Sequence, residues 1–322
     1  MPVHRRDRMT MRLYRGFGAL PDGFGPSVVA MGNFDGVHRG HQAVIRGTLA
    51  SARARGVLAT IVTFHPHPLR ILAPERAPVL IQSLEDRLAC LDASGVDAVV
   101  LVPFSRQLAE VGAQAFVEEF LVRRLRCVEL RVGGDARFGK GRAGDVDLLR
   151  HYAATGAFAL NVADAVVDGG IRASSSEIRR RVLAGDMEGA AALLGRPFSL
   201  AGEVVSGAAR GRGMGFPTAN LLPDAAIRPV PGIYAAVASG PGIRAVAAVH
   251  VGPIPTFHVT APKVEAHLLD FQGELLGTRL RLEFRTRLRG VVTFANVEDL
   301  KRQIATDVQA ARDAVGELEG SR

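Results

Sequence analysis

The sequence predicts an α/β domain built on a doubly wound parallel sheet, followed by an antiparallel β-barrel with a C-terminal helix. Three observations support this prediction. The length of 322 residues suits two domains, or one large one. Short apolar runs alternate with helical stretches in the first half, which is typical of a parallel sheet. Strand-like runs follow one another without intervening helices in the second half, which favours a barrel or a sandwich.

The elements of the first half are predicted from apolar runs and helical spacing. The predicted strands are Pro26–Met31, Leu58–Phe64, Ala98–Phe104, Cys127–Val132 and Phe158–Val167. The predicted helices are Gly40–Arg55, Leu84–Ser94, Ala113–Leu125 and Asp145–Ala154. In such a sheet ligands bind at the carboxyl ends of the strands.

Near residues 182–195 the alternation of strand-like runs and helical stretches gives way to closely spaced strand-like runs. We therefore predict one domain over residues 1–185 and another over residues 186–322. The predicted barrel strands are Leu200–Val205, Ile233–Ser239, Ala245–Val251, Val264–Phe271 and Arg279–Phe284. A final helix over Val297–Val315 is predicted from apolar residues at helical spacing, which are Leu300, Ile304, Val308 and Ala311.

Composition and charge narrow the class of protein. Apolar residues make up 48% of the chain, which is ample for a globular core. The net charge is +8, but basic residues form no dense stripe and aromatic residues are only 6%. We therefore expect small anionic ligands and no nucleic-acid partner. All but three of the 40 basic residues are arginine, a bias typical of a GC-rich genome.

Location is predicted from what the sequence lacks. No apolar run approaches the ~20 residues that span a bilayer, so no membrane partner is expected. The basic segment 1–15 has no apolar core typical of a signal peptide, and Met9 or Met11 could equally be the start. Two cysteines, Cys90 and Cys127, are too few for a disulfide framework and suit a reducing cytoplasm.

The strongest functional signal directly follows the first predicted strand, and it reads Gly32-Asn33-Phe34-Asp35-Gly36-Val37-His38-Arg39-Gly40-His41. It opens a helix, where unpaired backbone N–H groups face an anion. His38 and His41 are three residues apart and share one helix face. Two imidazoles there can donate hydrogen bonds to a phosphoryl group during its transfer. A tight turn whose histidines only cap or pack is the alternative.

A second predicted helix start reads Ser174-Ser175-Ser176-Glu177-Ile178-Arg179. Ser174 and Glu177 have the spacing of a capping box. The hydroxyl groups at this helix N-terminus and the guanidinium of Arg179 offer a second cradle for phosphate. A plain capped helix is the alternative interpretation.

The barrel half contains a glycine-rich segment over residues 207–220. Gly207, Gly211 and Gly215 allow the backbone to approach a phosphate closely. Thr218 and Asn220 follow and offer hard oxygen ligands to Mg²⁺. The segment is not a Walker A motif, because the GK[ST] signature is absent. A flexible turn is the alternative.

Glu265 is an acidic residue within an apolar strand pattern, Val264–Phe271. Alternation along a strand places it on one face with His267 and Leu269. A carboxylate aimed into a pocket can accept a proton from a hydroxyl that attacks a phosphorus atom. A glutamate on a solvated barrel face is the alternative.

The segment over residues 32–41 resembles the HxGH signature of the nucleotidyltransferase superfamily. In its full form it is similar to the N-terminal module of prokaryotic bifunctional riboflavin kinase/FAD synthetases. Residues 63–68 and 142–145 also match that family, as do residues 132–139, with Ala136 at a usually aromatic position, and residues 174–179, with Ser176 in place of Thr. The segments over residues 207–220, 232–235, 255–257 and 264–271 are similar to its riboflavin kinase signature. The resemblance covers residues 26–312.

The resemblance implies two activities and a set of site residues. Residues 1–185 would form a Rossmann-like domain that makes FAD from FMN and ATP and releases pyrophosphate, and residues 186–322 would phosphorylate riboflavin to FMN. The ATP contacts it implies are Gly32, Asn33, Phe34, Asp35, Gly36, His38, His41, Ser174, Ser175, Ser176, Arg179, Gly207, Gly211, Arg212, Gly215, Pro217, Thr218 and Asn220.

The remaining implied roles concern catalysis, flavin and metal. His38, His41 and Arg179 would act in adenylylation, and Glu265 would be the general base of the kinase. Phe64, Asp135, Glu265 and Arg289 would contact flavin, and Thr218 and Asn220 would bind Mg²⁺. Self-association, weak or transient, is left open by the resemblance.

The chain departs from the family pattern near the implied kinase pocket. Val291 and Thr293 stand where the family commonly has an acid and a base, and Ile254 stands where it has an arginine. We expect these changes to bear on kinase efficiency or flavin specificity. Two other hypotheses follow. One is a paralogue with a single active module or an altered flavin-like substrate. The other is a non-enzymatic flavin- or RNA-binding regulator, whose affinity for RNA would fall steeply with salt.

Overall fold

A computed structural model describes residues 11–207, 213, 215–224, 226–254 and 259–320. The chain divides into two compact units. Unit 1 comprises Met1–Pro78 and Leu84–Ala173, and unit 2 comprises Val79–Ser83 and Ser174–Arg322. The division at Ser174 falls before the predicted boundary at residue 185. The short segment Val79–Ser83 groups with the second half, which the sequence pattern did not indicate.

Unit 1 contains the predicted parallel sheet, with six strands in the order β1-β4-β3-β2-β5-β6. The strands are β1 Arg12–Arg15, β2 Ser27–Met31, β3 Leu58–His65, β4 Ala98–Pro103, β5 Cys127–Gly133 and β6 Ala159–Ala163. β1 was not predicted, since its sequence RLYR lacks an apolar run and lies at the sheet edge. The predicted strand Phe158–Val167 is too long, because β6 ends at Ala163 and a small hairpin follows, formed by β7 Val167–Asp168 and β8 Ile171–Arg172.

The helices of unit 1 connect these strands and cover the sheet. They are α1 Arg39–Arg55, α2 Pro68–Leu72, α3 Leu84–Ala93, α4 Arg106–Ala109, α5 Ala113–Phe116 and α6 Val146–Ala154. The helical stretch predicted over Ala113–Leu125 is confirmed, and its type changes within it: α5 makes a single turn and a π-helix continues over Val117–Arg124. The spacing of apolar residues indicates a helix here, but it does not show whether the backbone bonds follow the α or the π pattern.

The core of unit 1 lies on both faces of the sheet, which explains the uninterrupted apolar strands. Val28 and Ala30 of β2 pack in one cluster with Ile45 of α1. Val29, between them, packs in the other cluster with Leu121 of the π-helix. The side chains of all five residues are at most 1% exposed.

The described residues of unit 2 form two helices before a closed antiparallel barrel and a long helix after it. The helices are α7 Ser175–Ala184, α8 Met187–Leu194 and α9 Val297–Gly320. The barrel strands are β9 Phe198–Val205, β10 Ala219–Pro223, β11 Gly232–Gly240, β12 Ile243–Ile254, β13 Val259–Leu268 and β14 Arg279–Arg289. They close in the order β10-β13-β12-β11-β14-β9. This confirms the predicted barrel. α8 and β10 were not predicted, and β13 ends at Leu268, three residues before the predicted Phe271.

The two faces of the barrel are both covered along β11. Tyr234 lies inside, with its ring edge-on to Phe284 at a centroid distance of 5.4 Å. The next residue, Ala235, faces outward and packs in a cluster with Ala311 and Val315 of α9. Side chains on the outer face of β11 and of its neighbours therefore lie on the side of the barrel that α9 covers.

Among the described residues, no helix combines the length and the apolar character needed to cross a bilayer.

Candidate active sites

A strained turn joins β2 to α1 at the carboxyl end of the sheet. Phe34, Gly36 and Val37 have positive φ angles of 51°, 85° and 39°. For the two non-glycine residues this conformation costs on the order of 1–3 kcal/mol each. The side chains of Phe34 and Val37 are only 2% and 3% exposed, so packing holds the backbone in this shape. The sequence therefore builds a rigid turn where a phosphate would approach the start of α1.

The two histidines of the HxGH segment form a stacked pair. The centroids of the His38 and His41 rings are 3.7 Å apart, with 21° between their planes. His38 caps α1, since its Nδ1 accepts the backbone N–H of His41 at 3.4 Å. In the neutral ring Nε2 then carries the proton and is a donor. A Cβ on Gly40 would lie 3.0 Å from the His38 ring and 3.3 Å from the Ala173 carbonyl oxygen, which explains the glycine between the histidines.

The electrostatics keep His41 neutral. Burial of the ring lowers the pKa of His41 well below its ordinary value of 6.5, and the nearby His38 and Arg87 lower it further. Its Nδ1 is buried and has no hydrogen-bond partner among the described residues. A buried ring nitrogen without a partner is costly unless a ligand or water satisfies it. This atom therefore marks a ligand position at the start of α1.

Arg87 of α3 was missed by the sequence analysis. Its Nη1 donates to the Asn33 carbonyl oxygen at 2.7 Å, and its Nη2 donates to the Phe64 carbonyl oxygen at 3.1 Å. The hydroxyl of Thr63 donates to the same Asn33 oxygen at 3.1 Å. A signal was present in the sequence, because Arg87 lies four residues before the buried Leu91 and so occupies the apolar face of its helix.

The segment after β3 also reaches the turn. The Asn33 side-chain amide nitrogen lies 3.3 Å from Nε2 of His67. Nδ1 of His67 accepts the backbone N–H of Leu69 at 3.2 Å and so caps α2. The structure thus brings residues 63–68 together with residues 32–41, as the shared sheet edge predicts.

Other motif residues of unit 1 have structural contacts. Asp135 is exposed and pairs with Arg172 of β8 at 3.6 Å. Phe138 packs against Gly144, where a Cβ would lie 2.6 Å from the Phe138 ring. Asp145 caps α6 by accepting two backbone N–H groups at 3.0 Å.

The aromatic ring of Phe64, at the end of β3, is half-buried. It lies edge-on to the ring of Phe104, with 6.0 Å between the ring centroids.

The serine-rich helix start belongs to unit 2. Ser174 caps α7, with its hydroxyl accepting the Glu177 backbone N–H at 3.2 Å, and Ser175 and Ser176 form the first turn. The Nε of Arg179 donates to the Val79 carbonyl oxygen at 2.7 Å. The pKa of Glu177 falls to about 2, because its carboxylate accepts hydrogen bonds first from Arg180 and then from Arg181.

In unit 2 the barrel register assembles a polar row around Glu265. Glu265 of β13 stands directly opposite Asn220 of β10 and opposite His250 of β12. His250 in turn stands opposite Ile233, which shares the outer face of β11 with Ala235. Cross-strand partners share one face of a sheet. Glu265, Asn220 and His250 therefore lie on the outer face, each partly exposed. His250 was missed, because register is not visible in the sequence of one strand.

Asn220 fits the predicted metal role. Its Oδ1 is buried and has no hydrogen-bond partner among the described residues. A Cβ on Gly207 would lie 1.9 Å from the Asn220 amide nitrogen, so only glycine leaves room for this side chain. An amide oxygen held in this way is a suitable ligand for a hard cation such as Mg²⁺. Thr218, two residues earlier, is exposed.

Of the other residues predicted for the kinase site, some have defined contacts and some lie outside the described residues. The backbone carbonyl of Pro217 is 2.8 Å from Nδ1 of His267, and Gly215 has a φ of 89°. Arg289 makes a bidentate ion pair with the buried Asp307 of α9, at 2.8 and 2.6 Å. The predictions that lie outside the described residues are Gly211, Arg212, the motif Pro255-Thr256-Phe257 and the side chain of Ile254.

Within the described ranges, no group of three or more His, Cys, Asp or Glu residues could hold a metal ion. Mg²⁺ at a nucleotide site needs no such group, since phosphate and water oxygens complete its coordination.

Comparisons with known proteins agree with both halves of the chain. Residues 22–177 match the FAD synthetase family model, and residues 194–315 match the riboflavin kinase family model. A bifunctional riboflavin kinase/FMN adenylyltransferase of Escherichia coli is 38% identical, over 90% of this chain and 93% of its own length. The protein of that description from Bacillus subtilis is 33% identical, over 88% and 91%.

A solved structure is similar along almost the whole chain. It is described as a macrolide-efflux protein from Streptococcus pneumoniae, and it is 28% identical with a TM-score of 0.84. The match covers 94% of this chain and 99% of the pneumococcal one. The efflux description belongs to that protein, whereas both family models and the curated relatives describe flavin enzymes.

Proposed function

The chain belongs to the bifunctional riboflavin kinase/FMN adenylyltransferase family, and from this premise we propose which residues perform each of its two reactions. It phosphorylates riboflavin to FMN with ATP, and it then adenylylates FMN with a second ATP to give FAD and pyrophosphate. We assign FMN adenylylation to residues 1–185 and the kinase reaction to residues 186–322. The positions of the two family models support this division.

For adenylylation, the FMN phosphate attacks the α-phosphorus of ATP and pyrophosphate leaves. Positioning and charge stabilisation carry this reaction, since no side-chain nucleophile is needed. The segment from Gly32 to Gly36 presents backbone to the triphosphate, and His38 and His41 donate to it. The stacked histidine pair at the start of α1, with the unsatisfied Nδ1 of His41, is the observation that carries the assignment.

Phosphate contacts are also assigned to the start of α7, as the family pattern implies. Ser174, Ser175 and Ser176 offer hydroxyl and backbone donors, and Arg179 offers a guanidinium. Phe64 and Asp135 are assigned to the flavin. The half-buried ring of Phe64 at the end of β3 supports its assignment, because flavin is a large aromatic ring.

For the kinase, Glu265 accepts the proton of the ribityl hydroxyl as that oxygen attacks the γ-phosphorus of ATP. Asn220 stands opposite Glu265 in the register, so the base and the proposed metal ligand are neighbours. Mg²⁺, held by Thr218 and Asn220, would neutralise charge on the phosphates. Arg289 is assigned to the flavin pocket, and the ion pair with Asp307, which holds its guanidinium in one orientation, supports this assignment.

The identity of the metal and the location of the protein are predictions that membership of the family does not supply. Mg²⁺ as the metal is supported by the buried, unsatisfied Asn220 oxygen. A cytoplasmic location is supported by the two cysteines, both of which are free thiols.

The proposed division is tested by assaying the two half-reactions separately with single variants. We expect His41→Ala to lose FAD formation from FMN and to keep FMN formation from riboflavin. We expect Glu265→Gln to show the reverse. Chelating Mg²⁺ should stop FMN formation. A variant that loses both half-reactions equally, with the fold intact by circular dichroism, would contradict the division.

A further inference from the structure

Arg87 connects two backbone segments that carry the adenylylation site. Its side chain is 5% exposed and its guanidinium donates to the carbonyl oxygens of Asn33 and Phe64. These oxygens follow two neighbouring strands, β2 and β3. The last backbone bond between the two strands runs from the Gly32 N–H to the Val62 carbonyl, at 3.1 Å. Beyond that bond the Asn33 carbonyl oxygen accepts from the Thr63 hydroxyl and from Arg87, and Arg87 alone of these two also reaches the Phe64 carbonyl oxygen.

The turn that Arg87 holds is the strained one. Asn33 immediately precedes Phe34, whose φ of 51° is unfavourable for a residue with a side chain. Strained backbone persists only where its surroundings hold it in place. The Asn33 carbonyl is fixed by two donors, the Arg87 guanidinium and the Thr63 hydroxyl. The planar fork of arginine can reach two carbonyls at once, whereas the ammonium of lysine is a single point of charge.

Arg87 also sets the charge around His41. The groups whose charge affects His41 are His38, from the start of its own helix, and Arg87, from α3. Asp35 lies near Arg87 and counters its charge. Arg87 likewise lowers the pKa of His65, after the larger effect of burial. A buried guanidinium beside His41 therefore favours the neutral imidazole.

We propose that Arg87 is a positioning residue for FMN adenylylation, because it locks the Asn33–Gly36 turn to the end of β3 and places a fixed positive charge beside His41. It does not touch the reacting atoms in this proposal. The inference rests on the assignment of the HxGH segment to ATP.

Two substitutions separate the geometry from the charge. Arg87→Lys keeps the charge and loses the fork, so kcat/KM for ATP in FAD formation should fall by about 10- to 100-fold, the scale of a ~1 Å misplacement. Arg87→Gln should show a loss of at least that size. It should also move the acid limb of the pH profile of kcat/KM to higher pH, because His41 regains affinity for protons once the positive charge is gone. Arg87→Lys should leave the acid limb in place.

Riboflavin phosphorylation by the same purified chain is the internal control and should stay at the wild-type rate. Because Arg87 is buried, thermal unfolding of each variant is measured alongside. Thr63→Val, which removes the second donor to Asn33, provides a milder test and should lower kcat/KM for FAD formation without moving the pH profile. The proposal is overturned if Arg87→Lys keeps more than half of the wild-type kcat/KM, or if the acid limb of Arg87→Gln coincides with that of the wild type.

The outcome for His41→Ala separates this inference from the assignment beneath it. If His41→Ala leaves FAD formation unchanged, the HxGH assignment itself fails, whatever Arg87 does. If His41→Ala abolishes FAD formation and both Arg87 variants behave as the wild type, only the role of Arg87 fails.

Discussion

The two candidate sites are assembled in different ways. In unit 1, the site is a contiguous stretch from Gly32 to His41, held from outside by Thr63 and Arg87. In unit 2, the site is a row across three strands, in which Glu265 meets Asn220 and His250 only because the barrel closes in one register. The first site is a short stretch of sequence that is held by side chains from elsewhere in unit 1. The second site consists of residues that are distant in sequence and that become neighbours through the pairing of strands.

This difference determines what each site tolerates. The turn in unit 1 depends on buried packing and on side-chain bonds to its backbone, so single distant residues such as Arg87 matter. The row in unit 2 depends on strand register, which is shared by many backbone bonds and resists a single substitution. We therefore expect variants in the barrel to act through the chemistry of one side chain, and variants around the turn to act through its position.

The largest effect is expected for Glu265→Gln, which keeps the shape of the side chain and removes its proton affinity. FMN formation should fall by ~10² to 10⁴ in kcat, the usual contribution of positioned acid–base catalysis. The affinity for ATP and the formation of FAD from supplied FMN should change little. Glu203→Gln is the matched control, because Glu203 is an exposed glutamate on β9 of the same barrel. A Glu265→Gln enzyme with more than about a third of wild-type kcat would remove the base assignment.

The next effect is expected for His41→Ala. FAD formation should fall by roughly 10²-fold or more, because a preorganised donor to the phosphates is lost. Riboflavin phosphorylation should persist in the same preparation. The control is His151→Ala, an exposed histidine of α6 in the same unit. Equal losses in both half-reactions would indicate misfolding and not lost phosphate contacts.

A smaller effect is expected for Gly207→Ala, which tests whether Asn220 must hold its position. The new Cβ would lie 1.9 Å from the Asn220 amide nitrogen, so the amide has to move. The kinase rate should fall by roughly 10- to 100-fold and the Mg²⁺ concentration for half-maximal rate should rise. At Gly213 an added Cβ meets no atom of the described residues within 4 Å, so Gly213→Ala should behave as the wild type. Equal rates for the two variants would contradict a role for Asn220.

The smallest effects concern stability against pH, and they differ between the units. The pKa of His41 is below 6.5 in the folded protein, so the unfolded chain binds its proton more readily. The free energy of unfolding should therefore fall as the pH drops below 6.5, and His41→Gln should reduce this slope while His151→Gln should not. Denaturant titrations of the full chain at a series of pH values measure both slopes.

Glu177 provides the contrasting case in unit 2. Its pKa is about 2 in the folded protein against an ordinary 4.5, because Arg180 and Arg181 donate to its carboxylate. Its stabilising contribution is complete above pH 4.5 and should be lost as the pH falls from 4.5 towards 2. Glu177→Gln should flatten the stability curve in that range alone. A curve parallel to that of the wild type would show that these ion pairs contribute nothing measurable, as many exposed pairs do.

Much of the fold could be predicted because its signals are local. The buried strands β2, β3 and β4 are rich in apolar residues, and α1 begins and ends at a cap and a glycine that the sequence displays. The failures have physical causes too. The strand β1 lies at an edge and needs no apolar run. The strand β10 was not predicted, because its first two residues, Ala219 and Asn220, were assigned to the end of the glycine-rich segment.

The recruitment of Val79–Ser83 into unit 2 could not be predicted. Its contacts are specific, since Leu80 accepts the backbone N–H of Ile227 and Gln82 accepts from Arg196, each at 2.7 Å. Ile81 between them is 2% exposed. These partners are more than a hundred residues away along the chain, and no sequence periodicity encodes such pairs.

By itself, the sequence determined the class of each half, the helix start with its two histidines, the glycine-rich segment and the acid at position 265. These are properties of short stretches, where residue type, spacing and backbone preference act within a few residues. Only the tertiary structure decided that Arg87 holds the turn at Asn33 and that His250 and Asn220 flank Glu265. The physical reason is that the hydrogen bonds of a buried guanidinium and the pairing of strands join residues that are distant in the sequence. Folding brings these residues together, and no short stretch of sequence shows which ones will meet.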